Sequence, residues 1–374
     1  MKNHVEGDAA DASRSPRDDA GTRATVSPGI VCAYVAAPSS PPPSATIRRV
    51  KNIHRVAFFG THELAAPALD VLTELGLKPE IIVTRPEAGL AEPEEEIRLP
   101  ARATPQTHPV RDWAEEHGVR RVTSRRGKEE RVQKPIAELK PDLIVDADYG
   151  RPVPPELLAH AARGGLGLHA SKLPKYRGEH AIRAALSEGA KKTGVTVYRI
   201  DEEPWAGPIL LQEEIEIGDT ETYGELLPRM VEIGTELFRQ GLQKVDRAKN
   251  PATRKQNERS ATNTQRMDRR HCKAPWSMDA DGVYNRLRAH SPSGLLAFFK
   301  YRPIRIVSGK PLGWEKGPDG VTGTYLGMRQ GRLAILCGNA TVFGIDRLYR
   351  PGDDPMSASD FAYKEELSVG DRFV

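Results

Sequence analysis

The chain has 374 residues, and its 55 basic against 51 acidic side chains leave a formal net charge of +4. This balance excludes a histone-like polycation and a halophile-like polyanion, and the length fits about two domains. With 38% hydrophobic and 6% aromatic residues, the composition is that of globular protein diluted by something polar.

The dilution begins at the amino terminus. Residues 1–53 contain one aromatic, Tyr34, and the proline run Pro41 to Pro43. So little apolar surface cannot offset the entropy of ordering, and a disordered tail is expected. Glu6, Asp8, Asp11, Asp18 and Asp19 stand where a secretory or organelle leader needs basic and apolar residues. No apolar run approaches the ~20 residues that cross a bilayer, so no membrane association is expected. Cys32, Cys272 and Cys337 are far apart and form no CxxC pair. Neither a disulfide framework nor a metal site is predicted, and the cytoplasm is the expected compartment.

From Arg55 the texture changes. Val56 to Phe59, stopped by Gly60, reads as a buried strand, and Leu64, Ala65, Ala68, Leu69, Leu72 and Leu75 recur at helical spacing. Further strands are predicted at Ile81–Val83, Asp142–Val145, Leu166–His169, Val195–Ile200 and Ile209–Ile217. Between them, helices are predicted at Ala114–His117, Glu130–Leu139, Pro154–Arg163 and His180–Glu188, then from Thr222 to about Gln243. Alternating apolar strands and helices predict a mostly parallel sheet covered on both faces. Lys244 to Lys273 holds ten basic residues against three acidic ones, a net of +7, without a periodic apolar face, and reads as an extended linker. Beyond a helix at Val283–His290, short strands at Ile304–Val307, Val321–Leu326, Leu333–Leu336 and Thr341–Ile345 predict a small β-barrel. The resulting organisation is a tail (1–53), an α/β domain (54–243), a basic linker (244–273) and a barrel-like domain (274–374).

The motif content is first negative. Gly60-Thr61 is not GxGxxG, Gly165-Leu166-Gly167 lacks a third glycine, and no Walker loop, HExxH or GxSxG occurs. The most informative stretch runs from Gly165 through His169, Ser171, Pro174 and Arg177 to Gly178. A strand delivers His169 to its carboxyl end, where doubly wound sheets bind ligands. A histidine so placed either caps the strand or donates a hydrogen bond to a carbonyl oxygen that becomes an oxyanion.

This stretch resembles the signature of the folate-dependent formyltransferases, Asn-x-His-x-Ser-Leu-Leu-Pro-Arg/Lys-Trp/Tyr-Arg-Gly. Phe58 to Leu69, Pro141 to Gly150, and Thr193 to Asp201 with Gly207 and Ile209-Leu210 resemble other segments of that family. Tyr284 to Gly294 and Met356 to Phe361 resemble the barrel-like carboxyl-terminal domain of its methionyl-tRNA formyltransferase branch, so coverage runs from about Ile53 to Phe373. The resemblance implies a Rossmann-like formyltransferase domain followed by an OB-like barrel, usually in a monomer. It implies transfer of formyl from 10-formyltetrahydrofolate to the amine of initiator methionyl-tRNA. It also implies a folate site at Tyr149, Ser171, Lys172, Leu173 and Pro174.

Of the three catalytic positions, His169 alone matches. Gly167 stands at the asparagine position and Trp205 at the aspartate position. Glu203, with Glu202, is the loop carboxylate that could stand in, or else a solvated acid. Lys172 replaces a family leucine, and Asp146 and Asp148 lie where the folate loop is usually apolar. Weak or lost formyl transfer is therefore expected. Alternatives are a non-catalytic paralogue that binds RNA or folate, and a formyltransferase for another amine, such as an amino sugar, with Trp205 stacking on it. Phosphate contacts are expected from Arg254, Lys255, Arg259, Arg266, Arg269 and Arg270 in the linker, unless it is simply a flexible solvated one. The acidic run through Glu87, Glu92 and Glu94–Glu96 would repel phosphates at its own place.

Overall fold

The computed structural model describes residues 49–86, 108–125, 130–264, 270–313 and 320–374. The expected tail before residue 49, the acidic run Glu87–Glu96, and Arg266 and Arg269 lie outside the described residues.

The first layered unit is built on seven strands. In chain order its elements are β1 (Val56–Gly60), α1 (Ala65–Glu74), β2 (Ile81–Thr84), α2 (Pro109–Glu116), β3 (Arg120–Thr123), α3 (Glu130–Leu139) and β4 (Leu143–Ala147). Then come α4 (Pro155–Leu158), β5 (Gly165–His169), α5 (Ala181–Ser187), β6 (Lys192–Ile200), β7 (Ile209–Glu216) and α6 (Tyr223–Arg247). The strand order is β3-β2-β1-β4-β5-β6-β7. β1 to β5 pair in parallel, whereas β6 and β7 add antiparallel. Buried residues of α1, α2, α5 and α6 cover one face through Phe58, Val145 and Leu168. Those of α3 and α4 cover the other through Phe59, Ile81 and Ile144. This is the doubly covered, mostly parallel sheet that the strand and helix alternation predicted.

The second unit is all antiparallel. α7 (Ala280–Ala289) is followed by β8 (Leu295–Phe299), β9 (Arg302–Pro311), β10 (Tyr325–Arg329), β11 (Arg332–Leu336), β12 (Val342–Tyr349), β13 (Met356–Ser357) and α8 (Ala358–Lys364). The strands run in the order β10-β11-β12-β9-β8, with β13 on β12. Residues 371–374 close the gap between the two ends. Val374 exchanges backbone hydrogen bonds with Phe298 at 2.7 and 2.9 Å, Phe373 N donates to Gly323 O at 2.8 Å, and Tyr325 N donates to Asp371 O at 2.8 Å. These residues bridge the β8 and β10 ends of the sheet, and Phe299, Phe343, Phe361 and Phe373 fill the interior. Among the described residues no helix is long and apolar enough to cross a membrane.

Several elements differ from their sequence expectation. Residues 49–53, assigned to the disordered tail, are held: Ile53 is buried, and Asp246 accepts from the backbone N–H groups of Lys51 and Asn52. The helix predicted over Pro154–Arg163 stops at Leu158. Ala162 N and Arg163 N instead donate to Pro141 O and Asp142 O, which draws that segment toward the start of β4. β3 and β8 were not predicted. β3 is an edge strand carrying Arg120 and Arg121, charges that suit an edge and hide its periodicity. α6 runs on to Arg247, into the expected linker, with Thr222 and Glu225 forming a capping box at its start.

Candidate active site

The carboxyl ends of β1, β4 and β5 lie side by side, and each delivers polar residues to one edge. β5 ends at His169, which is 5% exposed. Its Nε2 lies 2.8 Å from the Tyr176 carbonyl oxygen. A carbonyl only accepts, so Nε2 carries the proton and Nδ1 the lone pair. Burial pushes the imidazole down to about 4, opposed by the bond to Tyr176. The ring is therefore neutral near pH 7, and its one N–H is already engaged.

Strand register explains what surrounds it. Phe59, Asp146, Gly167 and Tyr198 are directly opposite one another across β1, β4, β5 and β6, so they share a face. His169, two residues after Gly167, shares it too. Tyr198 is 2% exposed, and its ring lies in the space that a side chain at residue 167 would occupy. A Cβ added to Gly167 would overlap the ring carbons and stand 2.8 Å from the hydroxyl oxygen. Burial, and then the nearby Asp146 charge, hold the Tyr198 phenol well above its usual range. Desolvation raises Asp146 to about 7, against one stabilising bond from Tyr149 N at 3.2 Å. In the sequence Asp146 is legible only as an acid unfavourable to folate, and Tyr198 is not legible as a site residue. The pairing of β5 with β6, which joins residues 31 apart, carries no local signal.

Trp205 has a left-handed backbone with φ 56° and packs on the small cluster of Leu173, Tyr198 and Ile209. Its ring centre lies 6.5 Å from that of His169. An indole, not a carboxylate, thus faces the histidine. Glu203 is 73% exposed, and its Oε1 lies 4.0 Å from Arg177 Nη1. Glu203 thus pairs with Arg177, whereas His169 pairs with Tyr176.

Of the expected folate residues, Ser171 to Pro174 lie on the loop after β5 and Tyr149 on the turn after β4, each with an internal partner. The Ser171 hydroxyl donates to Lys175 O at 2.6 Å, and Leu173 N donates to Thr196 Oγ1 at 3.1 Å. The Lys172 ammonium pairs with Glu214 on β7, which also holds Lys192. Tyr149 is buried edge-on against Phe59, 5.3 Å between ring centres, and Pro174 O accepts from Thr262 N at 3.1 Å.

That last bond belongs to a longer seam. Within the expected linker, Arg254 exchanges two backbone bonds with Ile209, and residues 262–264 pair with Arg177. The Arg177 guanidinium, 5% exposed, binds Gln256 Oε1 at 2.8 Å and Glu258 Oε1 at 2.6 Å. Gln256 Nε2 in turn donates to Trp205 O and Gly207 O, both at 2.8 Å. Residues 254–264, which include one helical turn at Glu258–Ser260, are stitched to the loop that carries the site rather than freely solvated. Arg254, Lys255, Arg259 and Arg270 remain exposed.

A second polar group adjoins this edge. His62 and Glu63 follow β1, Asp148 follows β4, and Glu179 and His180 precede α5. Together with Ala170 and Tyr223, several of them line one narrow cleft. Spacing predicted no metal-ligating set, because these residues come from three separate turns.

Residues 54–242 match the formyl transferase family, and residues 266–365 match the formyl transferase carboxyl-terminal domain. The chain is 30% identical over 311 residues to methionyl-tRNA formyltransferase of Anaeromyxobacter dehalogenans (strain 2CP-C), covering 82% of this chain and 96% of that protein. It is 30% identical over 319 residues to methionyl-tRNA formyltransferase of Bacillus cytotoxicus, covering 84% and 97% respectively. A solved N-formyltransferase from Helicobacter canadensis, in complex with folinic acid and dTDP-3-aminofucose, superposes with a TM-score of 0.54 at 16% identity. That likeness covers 78% of this chain and 99% of the other, and it concerns the fold.

Proposed function

This chain belongs to the formyl transferase family, and on that premise we propose that it acts as a methionyl-tRNA formyltransferase-type protein whose chemical step is slow. The formyl donor is 10-formyltetrahydrofolate, bound against the loop after β5, and the acceptor is the amine of initiator methionyl-tRNA. The observation that carries this reading is the match to relatives of that name over 96% of their length, across both domains. Exposed Arg254, Lys255, Arg259 and Arg270 supply phosphate contacts beside the site. The protein works as a monomer in the cytoplasm, a compartment that suits the buried free thiol of Cys337.

In the reaction the amine nitrogen attacks the formyl carbon, the oxygen becomes an oxyanion, and the bond to folate N10 breaks. The amine loses a proton and N10 gains one. An intact family site meets this with an amide, an imidazole and a carboxylate. Here residue 167 has no amide and Tyr198 fills its place, residue 205 is an indole, and the His169 N–H is held by Tyr176 O. Loss of one oxyanion donor costs about 2.7–4 kcal/mol of barrier, a factor of roughly 10²–10³. Asp146, raised to about 7, is the carboxylate best matched to trade a proton near neutrality.

The test is formyl transfer to charged initiator tRNA by the purified chain, beside His169→Ala. We expect wild-type turnover at least about 10²-fold below that of an intact relative, with the remainder lowered further by His169→Ala. Ordinary turnover, or an unchanged rate in the variant, would contradict the reading. Tight tRNA binding without any transfer would instead identify an RNA-binding paralogue.

A further inference from the structure

We propose that His62, Glu179 and His180 form a binding site for one divalent ion of the zinc class. The proposal stands apart from the formyl-transfer reading and survives its failure. One ligand atom from each of the three residues lies within 4.8 Å of the other two. Zinc holds histidine nitrogen at ~2.0–2.1 Å and carboxylate oxygen at ~2.0–2.2 Å, so ligand atoms on a tetrahedral ion stand about 3.3 Å apart. Side-chain rotation of an ångström or so closes the difference.

The donors are in a ligating state. Arg85 Nη1, a donor only, lies 3.3 Å from His62 Nε2, so that nitrogen presents its lone pair. The same Nη1 lies 2.5 Å from Glu179 Oε2. A single cationic nitrogen thus sits at the point where two of the three ligands converge, and it marks where positive charge is held. The His180 ring lies 5.1 Å, centre to centre, from the His62 ring. Backbone geometry keeps the space open: Gly150 has φ 75°, and a Cβ there would stand 2.6 Å from His62 Nε2 and 2.8 Å from Arg85 Nη1.

Asp148 faces Glu63, Asp146 and Glu179, whereas the guanidinium groups beside the cluster are Arg85 and Arg183. Glu63 accepts from the Tyr223 hydroxyl and Asp148 from Leu64 N, so both remain beside the site without being ligands. Two imidazole nitrogens with one carboxylate oxygen are the donor set of borderline ions, and three protein ligands leave a fourth position for water or a small ligand. Bound there, the ion would tie the turn after β1 to the loop before α5. Arg85 would swing aside.

The full-length protein, stripped with a chelator, is titrated with cobalt(II) while its visible ligand-field absorption is followed, and zinc(II) is then added in competition. We expect one equivalent of cobalt to bind with a low-symmetry spectrum that zinc abolishes. His62→Ala, His180→Ala and Glu179→Gln should each weaken binding by about tenfold or more, with unchanged circular dichroism. Arg85→Ala, which removes the competing cation, should strengthen it by about tenfold. Absence of a cobalt spectrum in the wild type, equal affinity in the folded ligand variants, or weaker binding in Arg85→Ala would each overturn the site.

Discussion

Gly167 and Tyr198 behave as one unit, because the phenol occupies the volume that any side chain at 167 needs. Gly167→Asn alone is therefore expected to destabilise the fold by about 1–3 kcal/mol or more through overpacking. In a Tyr198→Ala background the same change should be better tolerated. Urea denaturation of the two single variants and the double variant checks this coupling, and simple additivity would refute it. His169 was legible in the sequence because its signature is local, running from Gly165 to Gly178. Tyr198 was not, because antiparallel register brings it to Gly167 from a strand whose own sequence is unremarkable. The same holds for His62, Glu179 and His180, which meet only once β1 and β5 are neighbours in space of β4.

At the scale of elements, the segment from Arg254 to Thr264 is the one whose behaviour differs most from its composition. Its polar, aperiodic sequence gave no sign of the helical turn at Glu258–Ser260 or of the Ile209, Arg177 and Trp205 partners that hold it. Buried Arg177 is the pin, joined to Glu258 and Gln256. Arg177→Ala should free the segment and expose it to trypsin at Arg254, Lys255 or Arg259, read as faster cleavage at native conditions; an unchanged digestion pattern would count against the pin. The segment's charge makes a separate prediction. Lys255→Ala/Arg259→Ala should reduce the slope of log affinity for tRNA against log salt by about 1–2, with little effect on folding. Short α4 and edge strand β3 were misjudged for ordinary reasons: backbone partners at Pro141 and Asp142 interrupt the first, and arginines mask the second.

For the whole molecule, the +4 total conceals a linker of +7, so the remaining sequence carries a net −3. Buried titratable groups then shape stability. Burial holds His62 and His169 at about 4 and His290 at about 3, below their ordinary 6.5. Their contribution is present above pH 6.5 and is lost as pH falls through that window. Asp146 and Asp148 are raised to about 7 and about 8, so theirs is present at low pH and lost as pH rises through those values. Below 6.5 the three histidines outweigh the two acids; above it the acids act alone. The thermal midpoint is expected to peak near pH 6.5, and Asp148→Asn to flatten the alkaline fall; a midpoint that climbs steadily to pH 9 would contradict this. The central claim is that an intact formyltransferase scaffold holds an altered chemical centre. Its most direct test is the single-turnover rate of formyl transfer from 10-formyltetrahydrofolate to initiator methionyl-tRNA, for the wild type and for Gly167→Asn/Tyr198→Ala/Trp205→Asp. A rise of about 10²–10³-fold in the folded triple variant is the predicted result. A wild type as fast as that variant would contradict it.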